Sequence, residues 1–107
     1  MNDVEYEALT DAVLIAVEDA FEQLDLDIDT ENHGGLLNVV FPDRSKIVIN
    51  KQPPLHQLWV ATKFNGHHFE YRDGQWIDNR SGAEFWQLLS DAASKQAGES
   101  VTLRAPA

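Results

Sequence analysis

Between Leu36 and Asp78 the apolar residues recur at every second position, in short runs broken by turn signals. On either side of that stretch they recur at helical spacing. Period-2 runs need a sheet with one buried face, and the flanking amphipathic stretches need an apolar surface to cover. Both needs are met at once by two helices lying on one face of an antiparallel sheet.

The first helix is predicted from Val4 to Leu24. Leu9, Val13, Ala16, Val17, Ala20, Phe21 and Leu24 form its apolar face, and Asn2 or Asp3 caps its start. Six strands are expected next. Asp27–Asn32 places Ile28 and Thr30 on one side and Asp27, Asp29 and Glu31 on the other. After the turn His33-Gly34-Gly35, Leu36–Phe41 turns Leu37, Val39 and Phe41 inward. Lys46–Asn50 buries Ile47 and Ile49, and Pro53-Pro54 makes a rigid connection to Leu58–Thr62, which buries Leu58 and Val60. Asn65-Gly66 and Asp73-Gly74 are hairpin signals around a strand with Phe69 and Tyr71 inward, and Gln75–Asp78 completes the sheet. A second helix is expected from Ser81, because Ser81 and Glu84 have capping-box spacing, with Phe85, Leu88, Leu89 and Ala92 as its stripe and Gly98 as its end. The last nine residues read as a tail packing through Val101 and Leu103. The expected fold is thus α+β, a two-layer α-β sandwich in one domain over residues 1–107, the outer sheet face open to solvent.

Charge is distributed very unevenly. Residues 1–43 hold twelve Asp and Glu and no Lys or Arg, whereas residues 44–107 hold six acids and eight bases. With a net charge of −10, nucleic acid is disfavoured as a partner, and cations and basic protein surfaces are favoured. There is no cysteine, which excludes disulfides, a Cys nucleophile and a cluster held by this chain's own thiolates. No apolar run is long enough to span a membrane, and the acidic N-terminus resembles neither a signal nor a transit peptide. A cytoplasmic protein made without a leader is expected.

On an ideal helix Glu7, Asp11, Glu22 and Asp25 fall within about 40° of Glu18, opposite the apolar face, with Asp19 beside them. This stripe opposes local stability. Glu7–Asp11 and Glu18–Glu22 are like-charged i,i+4 pairs, each costing roughly 0.2–0.5 kcal/mol. Glu18, Asp19, Glu22 and Asp25 also crowd the negative end of the helix dipole, with no Lys nearby in sequence to relieve them. A solvated face that aids solubility is the plain reading. A surface for hard cations or a basic partner is the functional one. Carboxylates suit Fe3+ and also hold Fe2+, Mn2+, Ca2+ or Mg2+, and without a closed cage they hold them weakly. Asp25, Asp27 and Asp29 are not an EF-hand, because the loop's Gly and closing Glu are missing.

Strand alternation sends Gln57, Trp59 and Ala61 to the outer sheet face, with Val48 and Asn50 beside them. A tryptophan presented there is either a binding anchor or a cover for its neighbours. His33, His56, His67 and His68 make no metal motif, and His67 and His68 point to opposite faces, so they read as surface or turn histidines. No nucleophile elbow or phosphate-binding glycine loop occurs, and a non-enzymatic protein is expected.

The segment Asn50-Lys51-Gln52-Pro53-Pro54-Leu55-His56-Gln57-Leu58-Trp59 resembles the frataxin sheet signature. The acidic first helix, Gly34-Gly35, Trp76-Ile77, Arg80-Ser81-Gly82, Phe85-Trp86 and Leu88-Leu89 are also similar to the bacterial branch of that family. The resemblance spans nearly the whole chain. It implies an α-β sandwich that binds iron, Fe2+ or Fe3+, on its acidic ridge. It also implies contact with cysteine desulfurase and the iron–sulfur scaffold protein, and regulation of cluster assembly by a protein that is a monomer without iron. Carried over, the iron ligands are Glu18, Asp19, Glu22, Asp25, Asp27 and Asp29, and the partner-facing residues are Asn50, Gln52, Gln57 and Trp59. Position 23 departs, being Gln where an acid is common, and the segment from Asp25 to Gly34 is shorter than in some relatives. Two alternatives stand beside this reading: a ferroxidase that stores iron in iron-driven oligomers, and an acidic interaction protein with no metal role.

Overall fold

The computed structural model of the protein describes residues 1–106. Helix α1 spans Asp3–Glu22, and α2 spans Phe85–Ala97. Between them run β1 (Asp29–Asn32), β2 (Leu36–Val40), β3 (Lys46–Gln52), β4 (Gln57–Ala61), β5 (Gly66–Arg72) and β6 (Gln75–Asp78). The six strands form one antiparallel sheet in chain order. Both helices cover one face of it, as the alternation predicts.

The inward positions of the strands make the floor of the core. Leu37, Val39, Phe41, Ile47, Ile49, Leu58, Val60 and Phe69 are all buried. Tyr71 departs from expectation. It shares the side of Phe69 but lies at the sheet corner, 36% exposed, with its ring edge-on to buried Trp76 at 5.1 Å. From above, α2 contributes Phe85, Leu89, Ala92 and Ala93, and the tail contributes Val101 and Leu103 as predicted. The tail is held by hydroxyls one helical turn apart: Ser90 Oγ accepts from Leu103 N at 2.9 Å, and Ser94 Oγ accepts from Val101 N at 2.8 Å.

The buried stripe of α1 is rotated from the one expected. It consists of Tyr6, Thr10, Leu14, Val17 and Phe21, while Leu9, Val13, Ala20 and Leu24 pack at its margin. Two polar groups were decisive. Thr10 donates its hydroxyl to Tyr6 O at 2.8 Å, so it is buried without an orphaned proton. The Tyr6 hydroxyl donates to Gln57 O at 2.6 Å and accepts from Gln52 N at 2.9 Å, fastening α1 to both sides of the β3–β4 connection. Burial pushes the Tyr6 phenol above its ordinary pKa.

The start of α2 also differs. Glu84, not Ser81, is the N-cap, and its carboxylate accepts from Trp86 N at 2.9 Å and Gln87 N at 3.1 Å. Ser81 is engaged elsewhere, donating at 2.7 Å to buried Asp78, which also meets His67 Nδ1 at 3.2 Å and Arg80 N at 3.3 Å. Burial works to raise the Asp78 pKa, but the bonds from Ser81, His67 and Arg80 N outweigh it and hold the carboxyl below its usual range. Asp73 and Gly74 both have positive φ, as the two-residue turn between β5 and β6 requires.

Candidate functional site: an acidic border and an open sheet face

The predicted acidic stripe divides into two parts. In the first half of α1, Glu7 and Asp11 share the ammonium of Lys51 from β3, with the Glu7 contact at 2.9 Å. Sequence reasoning missed this lysine, which lies 40 residues beyond Asp11 along the chain. The sheet register delivers it. Lys51 N donates to Gly35 O at 3.1 Å, and a Cβ on Gly35 would stand 3.5 Å from the lysine stem. Only 10% of the Lys51 side chain is exposed. Burial works against its charge, yet the carboxylates of Asp11 and Glu7 prevail and raise its pKa.

The second half is different. Among the described residues, none of Glu18, Asp19, Glu22, Asp25, Asp27 and Asp29 forms an ion pair. Glu18 is half-buried and accepts from Asn32 Nδ2 at 2.8 Å, which ties α1 to β1. The other five are exposed. Local sequence explains their outward aim. Leu24, Leu26 and Ile28 pack against the core, so the alternating Asp25, Asp27 and Asp29 turn to solvent. Only Asp29 of these three lies in a strand, because β1 begins two residues later than expected. Gln23 caps the helix C-terminus through its backbone, its N–H donating to Asp19 O. Lys and Arg are absent from the last turn, so nothing on the helix itself answers the dipole.

Among the described residues, no three Asp, Glu or His side chains form a group able to hold a metal ion. The donor set is therefore an open array of hard oxygens. Carboxylate oxygens are hard donors, and their geometry here offers no closed cage.

The outer sheet face gathers all four predicted partner-facing residues. Asn50 pairs with Trp59, and Gln52 with Gln57, across β3 and β4. Trp59 Nε1 donates to Gln57 Oε1 at 2.8 Å, which fixes the indole. The missed member is His68. It sits opposite Trp59 on β5, and the two rings stack at 4.2 Å with 10° between their planes. With Leu36 and Val48 they line a shallow hollow of about 260 Å³. His67 points to the other face, as alternation predicts, and binds Asp78.

An antiparallel six-stranded sheet, two helices on one face, an acid-rich helix border and a bare outer face define the α-β sandwich class. The family model of the Frataxin-like domain matches residues 1–99. The chain is 57% identical over 106 residues to the iron–sulfur cluster assembly protein CyaY of Pseudoalteromonas atlantica, covering 99% of this chain and 98% of that one. It is 54% identical over 105 residues to the protein of the same name from Colwellia psychrerythraea, with 98% and 99% covered. Frataxin from Psychromonas ingrahamii superposes with a TM-score of 0.89 at 45% identity, over 95% of this chain and 97% of that one. Trimeric frataxin from Saccharomyces cerevisiae complexed with ferrous iron gives a TM-score of 0.69 at 28% identity, over 89% and 87%. The chain belongs to the frataxin family. No helix among the described residues is long and apolar enough to cross a membrane.

Proposed function

We propose that this protein takes part in iron–sulfur cluster assembly, binding cysteine desulfurase through its acidic border and iron at the same carboxylates. The carrying observation is the run Glu18, Asp19, Glu22, Asp25, Asp27 and Asp29, free of ion pairs among the described residues at the negative end of α1. An exposed array of this kind attracts a basic protein surface over long range. It also takes iron loosely, as a supplier or sensor of the metal needs. The outer face, with Asn50, Gln52, Gln57 and Trp59, is assigned to the scaffold protein: a half-buried indole set among amides suits a partner contact made without charge. The names of the relatives, iron–sulfur cluster assembly protein CyaY, support the process. The residue roles rest on the geometry above.

Titrating Fe2+ anaerobically into isotope-labelled protein tests the assignment. Amides of residues 18–29 are expected to shift and broaden first, with those of Glu7 and Asp11 following only at higher iron. Broadening spread evenly over the chain would remove the ridge as the iron site.

A further inference from the structure

A bare ion has no use for an apolar side chain, yet one stands inside the acidic border. Ile15 is 59% exposed in the middle of α1, whereas exposed Leu55 and Phe64 lie in connections and Val4 in the first turn. By ideal geometry it falls about 60° from Glu18, between the Glu18–Glu22 stripe and Asp19. Asp11 is one turn before it and Glu18 one turn after. Local physics gives no reason for it, since an exposed β-branched residue is a poorer helix former than Ala, Glu or Lys.

Its surroundings are shaped as well as charged. A groove of about 430 Å³ runs between α1 and the β1–β2 turn, lined by Leu14, Ile15, Asn32, Gly34, Gly35 and Lys51 among others. Glu7, Asp11 and the Lys51 they share line it, as does Asn32, which donates to Glu18. Within that groove Ile15 offers apolar surface that a protein side chain can cover and that a bare ion cannot use.

We infer that Ile15 is the apolar anchor of the docking surface, against which a basic protein partner lays the methylene stem of an arginine or lysine whose charged head reaches the neighbouring carboxylates. Such side chains bury their stems and keep their heads polar. The inference rests on the reading that the acidic border docks cysteine desulfurase, and it names a residue that separates protein docking from iron binding.

The test measures desulfurase affinity between about 50 and 300 mM salt for the wild type, Ile15→Gln, Ile15→Met and Glu22→Gln. Ile15→Gln is expected to weaken binding about fivefold at every salt concentration, leaving the salt slope unchanged. Ile15→Met retains apolar area and stays within about twofold of wild type. Glu22→Gln lowers the salt slope instead, because it removes charge. Iron-induced amide shifts in Ile15→Gln match those of wild type. If Ile15→Gln binds desulfurase as well as wild type does, or changes the salt slope as Glu22→Gln does, the anchor is overturned while the docking reading stands. A wild type with no affinity for desulfurase even at low salt overturns the docking reading and the anchor with it.

Discussion

In the first half of α1, Glu7 and Asp11 meet the ammonium of Lys51. In the second half, among the described residues, Glu18 meets only the amide of Asn32, while Asp19 and Glu22 face solvent. One helix thus carries similar acid along its length and has it answered at one end only. The difference comes from the sheet beneath. β3 reaches past the β1–β2 turn and brings Lys51 under the first turns of α1, whereas β1, beside the last turns, adds Asp29 and Glu31. Acidic composition alone does not make a cation-seeking surface. What matters is where the tertiary structure withholds the counter-charge.

The strongest way to break this comparison is to reverse charge in the open half. Glu18→Lys, Asp19→Lys and Glu22→Lys together are expected to weaken desulfurase binding by about a hundredfold or more, since like charges across an interface cost several kcal/mol. Glu7→Gln with Asp11→Gln is expected to stay within about threefold in the same binding assay. Equal losses in the two variants would show that Lys51 does not divide the surface.

Asp78 sharpens the contrast, being a carboxylate that is neither open nor answered by lysine. Its folded-state pKa is depressed, so its contribution is fully present above its unfolded pKa and is lost as pH falls through the lower folded value. Asp78→Asn is expected to cost about 1–3 kcal/mol at pH 7, because hydrogen-bonding partners of a buried charge are left unmatched. The gap from wild type should shrink as pH drops below about 4. Urea unfolding across pH 2–8 measures both, and a gap independent of pH would contradict the assignment.

The smallest effect is expected at the divider. Lys51→Met keeps the stem over Gly35 but frees two half-exposed carboxylates, a loss of about 0.5–1 kcal/mol or a few degrees in Tm. Iron should then perturb the Glu7 and Asp11 amides together with residues 18–29. Unchanged order of response in the titration would mean that Lys51 screens nothing.

Much of the fold was legible because short-range pattern and long-range packing agreed. The alternation of Leu37, Val39, Ile47, Ile49, Leu58 and Val60 set each strand's face, and Asp73-Gly74 set its turn. The misreadings came where a polar group found a nearby partner that apolar patterning does not report. Thr10 lies outside the apolar stripe read from the sequence, yet Tyr6 O satisfies its hydroxyl in the core, and Ser81 looked like a cap until Asp78 claimed its hydroxyl. In the candidate site, the outward aim of Trp59 followed from period 2. The pairing of Trp59 with His68 needed the register of β4 on β5, and that of Lys51 with α1 needed the helix to be docked. Neither is encoded in spacing along the chain.

The meander order of the sheet also bears on how the molecule assembles. Every strand pairs with its immediate neighbour in sequence, so the sheet can close hairpin by hairpin with short loops and little entropic penalty. Joining α1 to the β3–β4 connection is the long closure, spanning 51 residues from Tyr6 to Gln57. The helix that presents the acidic border therefore depends on a contact made across about half the chain. Amide exchange along α1, slow near Tyr6 and faster toward Glu22, would trace that dependence.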